Sequence, residues 1–229
     1  MIQASPSKAP ALNELLAQHP FVEVLGEPIS DQIEFLQNGK KRRVVINDLS
    51  LECHGLVELD DNNPMVCADA VSVPGPGETL ALIALGPLAK AQLLLESPII
   101  LTNVRVHDDL LEAYLYDLGW DEGFFVNYEE VDFGEALVLN VLAKLKDPHA
   151  DLDALFEECY GRSFFVRRDQ DSEWDTQLVA ASPFALYRLV RAEDLVRVQV
   201  MADRNGKAGA AQLVHAMNVM CGFEESLPF

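Results

Sequence analysis

Residues 203–223 read DRNGKAGAAQLVHAMNVMCGF, and the reading of the fold starts from them. The stretch opens polar, becomes glycine- and alanine-rich, continues as an apolar run and stops at Gly222. The spacing predicts a helix from about Lys207 to Cys221. Gly222 stands at the C′ position, where glycine enters the left-handed conformation at no steric cost.

Working back from that helix, LVRVQVMAD (195–203), QLVAASPFALYRLVRA (177–192) and SFFVRRD (163–169) read as strands. DLDALFEECYG (151–161) reads as a helix stopped by Gly161. FFVNYEEVDFGEALVLNVLAKL (124–145) holds one or two long strands. HDDLLEAYLYDLG (107–119) is an amphipathic helix, SPIILTNVRV (97–106) a strand, and ETLALIALGPLAKAQLL (78–94) an apolar helix that Gly86-Pro87 kinks or splits. Pro74-Gly75-Pro76-Gly77 is the sharpest punctuation in the chain and sets the main boundary.

Before it, PALNELLAQ (10–18) reads as a short helix with Leu12, Leu15 and Leu16 on one face, and FVEVLGE (21–27) as a strand. Asn38-Gly39 joins strands 31–37 and 41–48 into a hairpin, since both residues accept positive φ. LVEL and MVCADAVSV (within 56–73) are expected as strands around the polar loop Asp60-Asp61-Asn62-Asn63-Pro64. The expected domains are 1–73, 74–202 and 203–229, the last packing back on the first. The class is α+β, with a sheet covered on one face by helices.

Composition excludes several functions. Seventeen Lys and Arg against 37 Asp and Glu give a net charge of −20, which repels nucleic acid. Lys40, Lys41, Arg42 and Arg43 form the one dense basic run, read as an exposed hairpin tip. No apolar span reaches the roughly 20 residues that cross a membrane. The opening MIQASPSKAP lacks a secretory pattern, so a cytoplasmic protein is expected. The four cysteines, Cys53, Cys67, Cys159 and Cys221, lie far apart without CxxC spacing and read as reduced. Cys53-His54 lacks a second ligand pair, so no metal is expected. His19, before Pro20, is read as a surface residue.

Within 203–223, the positions of Asp203, Lys207, Ala210, Gln212, Met217, Asn218, Met220 and Gly222 resemble the C-terminal helix of the N-acetyl-γ-glutamyl-phosphate reductases. More loosely they resemble that of the aspartate-semialdehyde dehydrogenases. The resemblance covers residues 71–224. It implies a Rossmann-like N-terminal part, a mixed-sheet dimerisation domain, and reduction of an acyl phosphate by NADPH through a cysteine thioester. PGPGETLALIALGPLAKAQLL (74–94) is similar to the family's Pro-Gly-Cys-Tyr-x-Thr opening of a helix, where the helix dipole stabilises a thiolate. Pro76 occupies the nucleophile's position. HDDLLEAYL (107–115) is similar to the family's His-x-x-Glu segment, so His107 stands where the family has its acid/base.

Phe133-Gly134 replaces the family's substrate-binding Arg-Gly, and phenylalanine gives no bidentate grip on an anion. Arg204 replaces an asparagine near the nicotinamide. The resemblance leaves Arg204, Lys207 and Gly209 as cofactor-binding candidates. SPSKAPALNELL (5–16) stands where the family has a glycine-rich phosphate loop and helix, with no preceding strand. Residues 1–73 are roughly half of a full dinucleotide-binding domain.

The sequence is therefore identified as a degenerate member lacking the catalytic cysteine. The reading is a non-catalytic homodimeric scaffold or regulator without a cofactor, with a protein partner open and NADP retained only if the N-terminal part is competent. Val141 is placed in the dimer interface. Two alternatives stand: a divergent NAD(P)-dependent oxidoreductase using His107 or Cys67, and a metabolite-binding module.

Overall fold

A computed structural model describes residues 1–28, 32–60, 62–170 and 173–229. Asp31, at the start of an expected strand, and Asp61, in the expected polar loop, lie outside the described residues. The chain divides into two compact units, residues 1–75 with 209–229 and residues 76–208.

The first unit opens with β1 (Ile2–Ala4), α1 (Pro10–Gln18) and β2 (Val22–Val24). β1 and β2 pair in parallel, so these residues make one small βαβ unit. This corrects the expectation that no strand precedes residues 5–16. β3 (Ile33–Gln37) and β4 (Lys40–Ile46) form the hairpin. Asn38 and Gly39 sit at φ 53° and 78°, the positive values of a type I′ turn. α2 (Asn62–Cys67) precedes β5 (Ala70–Val73), giving a sheet of order β2-β1-β3-β4-β5. The helix thus starts within the expected loop and makes residues 65–67 helical where a strand was expected, and residues 56–59 form a turn in place of the other strand. α6 (Ala210–Cys221) packs against α1, α2 and β3 to β5. Ala210 through Met220 are all buried, which is where a helix apolar on every side must sit.

Arg42 overturns the reading of the basic run as an exposed tip. It is 5% exposed. Its guanidinium donates to the carbonyls of Met65, Val66 and Ala68 at the end of α2, to that of Met220 in the last turn of α6, and to Gln37 Oε1. Neither helix has a basic residue in its own last turn, so Arg42 supplies the cation that both C-termini favour. Lys40 and Lys41 keep to the surface, paired with Asp69 and Glu34.

His19 is likewise a core residue, 3% exposed. The Phe21 N–H donates to its Nδ1 at 3.1 Å, which places the ring proton on Nε2, 2.9 Å from Asn218 Oδ1. Burial lowers its pKa below the ordinary 6.5. The unfolded chain then takes up a proton that the folded chain resists, so this residue's stabilisation is full above pH 6.5 and declines as pH falls through that value. Melting of wild type and His19→Gln between pH 5.5 and 7.5 should show the gap between them narrowing toward acid. A gap independent of pH would reject the neutral, buried assignment.

The second unit is a six-stranded sheet of order β7-β6-β8-β11-β10-β9. Its members are β6 (Ile99–Thr102), β7 (Phe125–Tyr128), β8 (Ala136–Lys144), β9 (Val166–Arg168), β10 (Ala185–Ala192) and β11 (Leu195–Asp203). Residues 177–179, expected as strand, lie instead in a short 3-10 turn, Thr176–Val179. α3 (Pro76–Lys90) lies on one face of the sheet, with α4 (Asp108–Asp117) and α5 (Leu152–Tyr160) packed against it. α3 continues unbroken through Pro87, which cannot donate to the Ile83 carbonyl four residues earlier. Tyr160 supplies the missing donor, its hydroxyl 3.1 Å from that oxygen.

β8 alternates between the two faces. Leu137, Leu139, Val141 and Ala143 are buried, whereas Leu142 is 40% exposed. Val141 therefore belongs to the core side of the sheet, and its placement in an interface is corrected. On the open face the register lines up Phe125, Ile99, Leu142, Arg197 and Val190 as one row across five strands.

Candidate functional site

The start of α3 is where the resemblance places the chemistry. Pro76 opens the helix and is half-buried. Gly77 is obligatory for packing: a Cβ there would stand 2.2 Å from the Arg105 carbonyl oxygen. The segment that carries His107 thus presses directly on the first turn. Glu78, fully buried, accepts from both the His107 backbone N–H at 2.7 Å and His107 Nδ1 at 2.9 Å. His107 also caps α4, with its side chain half-exposed. The structure brings Glu78 and His107 together, and sequence reasoning passed over Glu78. Its signal was an acidic residue in the first turn, where the helix dipole favours negative charge.

The other candidates are arranged differently. Phe133 is 43% exposed, and Gly134 turns with φ 66° while donating to Asp132. Arg204 is exposed and joined to Glu135, through its own N–H to the Glu135 carbonyl at 2.8 Å and a looser ion pair at 3.5 Å. Asp203 fixes the following turn by accepting from Ala181 and Asn205. Lys207 is fully buried, its Nζ 5.4 Å from the Phe165 ring centroid. Gly209 caps α6, its carbonyl accepting from Gln212 and Leu213.

No cysteine stands at the α3 start. Cys159, the one cysteine of residues 76–208, lies on α5, where burial raises its thiol pKa. Burial raises Cys53 also and pushes Cys221 up to about 11. Cys67 ends α2 and is exposed, correcting its expected place in a buried strand. Among the described residues no three His, Cys, Asp or Glu side chains gather as a metal site. None of the described helices is long and apolar enough to cross a membrane.

The loop between β1 and α1 holds the place of the phosphate cradle. Ser5 N–H is bonded to the Glu34 carbonyl, Ser7 N–H to Asn13 Oδ1 and Ala9 N–H to Ser7 Oγ. Pro6 and Pro10 have no N–H to offer. A cradle needs amides aimed at a ligand, and here those of Ser5, Ser7 and Ala9 are satisfied by the chain itself.

The chain is 28% identical over 204 residues to N-acetyl-γ-glutamyl-phosphate reductase of Archaeoglobus fulgidus, a match spanning 76% of this chain and 60% of that protein. Over that span the chain is similar to this reductase. It spans about 60% of the length of that curated reductase. Aspartate semialdehyde dehydrogenase II from Vibrio cholerae, solved with ASA, has the same fold at a TM-score of 0.62 and 11% identity, over 96% of this chain and 98% of the other. A second structure of that enzyme gives 0.61 at 11% identity, over 94% and 97%. No family model matches. The α+β architecture of this chain, with its Rossmann-like βαβ start and mixed sheet, therefore has the semialdehyde-dehydrogenase fold.

Proposed function

We propose that this reductase relative carries out no reduction and serves as a homodimeric scaffold or regulatory protein of the cytoplasm. The observation that carries the reading is the first turn of α3. Proline stands where the thioester nucleophile would, and the neighbouring acid/base candidate is tied to a buried carboxylate. Proline has no group that can attack a carbonyl. The dinucleotide fits poorly for a separate reason, because three of the amides after β1, those of Ser5, Ser7 and Ala9, are occupied by Glu34, Asn13 and Ser7. A scaffold or regulatory role needs no such cofactor. The open sheet face, with its row of Phe125, Ile99, Leu142 and Val190, supports the homodimer.

Pro76→Cys tests the reading. The variant is expected to show no NADPH oxidation with acyl phosphates, and neither chain should enhance nicotinamide fluorescence in a titration to millimolar NADPH. Saturable binding together with oxidation by the variant would overturn the non-reducing assignment.

One observation favours an enzyme of changed chemistry. The half-exposed His107 ring is held at Nδ1 by the buried Glu78 carboxylate, as a general base is oriented by a second group.

A further inference from the structure

Between the outer face of α4 and the loop that follows it lies a cavity of about 550 Å³. Asp109, Glu112, Ala113 and Tyr116 enter from the helix at spacings of three, four and seven, so they form one stripe. Asp121, Glu122 and Phe124 enter from the loop. The loop's shape is set by Trp120, whose indole N–H donates to the Gly123 carbonyl at 2.9 Å. Burial separates floor from rim. Trp120 is 5% exposed, and Ala113 and Phe124 are half-buried, while the four carboxylates are exposed. Tyr116 stands 69% exposed at the helix side.

The groove has two negative walls and an apolar floor between them. None of its lining residues is Lys, Arg or His. Among the described residues, the carboxylates of Asp109, Glu112, Asp121 and Glu122 enter no ion pair or side-chain hydrogen bond. A bare metal ion would leave the aromatic floor unused. The volume is that of a small-molecule site. The helix wall from Asp109 to Tyr116 is on the order of 10 Å long.

We propose that this groove binds a linear organic diamine or polyamine. An ammonium group reaches each acidic wall, the methylene chain lies on Ala113, Trp120 and Phe124, and the Tyr116 ring faces one cationic end. Neither the scaffold reading nor its alternative assigns this surface, and the proposal stands or falls separately from both.

The test is calorimetric titration of the full chain with spermidine, putrescine and hexylamine at physiological salt, where diffuse attraction is screened. Saturable binding is expected for spermidine and putrescine, with hexylamine weaker by at least about tenfold for want of a second ammonium. D109N/E112Q/D121N/E122Q should weaken spermidine by about tenfold or more, and Tyr116→Ala by about fivefold at unchanged charge. Neutralising the exposed Glu14, Glu23, Glu27 and Glu52 to Gln removes the same charge elsewhere and should leave affinity within about twofold. Equal losses in the two fourfold variants would overturn the proposal by showing diffuse attraction. Hexylamine as tight as putrescine, or no saturation at millimolar spermidine, would overturn it as well. Should the groove variant melt early, Tyr116→Ala decides: unchanged affinity overturns the site.

Discussion

Arg42→Met is expected to destabilise the first unit by about 4 kcal/mol or more, the range seen when a buried hydrogen-bonded charge network is broken. Methionine fills much of the volume, so packing changes little. What disappears is the donor set for the carbonyls of Met65, Val66, Ala68 and Met220 and for Gln37. Each buried acceptor left unpaired costs roughly 1–3 kcal/mol. Arg42→Lys should recover little, because a point-like ammonium cannot span two helix ends as the planar guanidinium does. Arg43→Met, on the exposed side of the same strand, is the control and should lie within about 0.5 kcal/mol of wild type. Urea denaturation of the three variants checks this, and a loss at Arg42 no larger than at Arg43 would reject the capping role.

Arg42 also shows where sequence reasoning stops. A run of four basic residues beside a turn has the pattern of a solvated tip. Its true partners are backbone carbonyls 23 to 178 positions away, and no side-chain pattern advertises a carbonyl. His19 failed for the same reason, since its partner Asn218 is 199 residues distant. Local signals did better. The Asn38-Gly39 turn, the Gly222 stop at φ 69° and the leucine face of α1 rest on conformational limits of single residues or one helical period, and all three formed. β1 was missed because three residues make a strand only when β2 and β3 flank them. α2 was read as a strand because its short apolar run has no helical period to display. At the α3 start, the sequence marked the proline, the glycine and the histidine. It did not mark the carboxylate that fastens them, because Glu78 and His107 meet only through the fold.

Leu142 and Val141 are adjacent on β8 and should fail in opposite ways when replaced by aspartate. Val141 is fully buried on the helix-covered side. A carboxylate there has no partner to pair with, so Val141→Asp should cost roughly 3–5 kcal/mol or more and yield aggregate or an unfolded chain. Leu142 lies on the open side between Ile99 and Arg197 in the register. Its substitution leaves the core intact and puts a charge in the apolar row. If two copies meet by this face around a two-fold axis, each substitution acts twice. Leu142→Asp should then weaken the dimer by about a hundredfold, in line with loss of an interface hot spot, while melting near the wild-type temperature once monomeric. Sedimentation velocity across a dilution series separates the outcomes. A monomeric, folded Leu142→Asp beside a dimeric wild type is the expected result. An unchanged dimer would move the interface off this face, and a wild type that is itself monomeric would leave the open row of Phe125, Ile99, Leu142 and Val190 to a different protein.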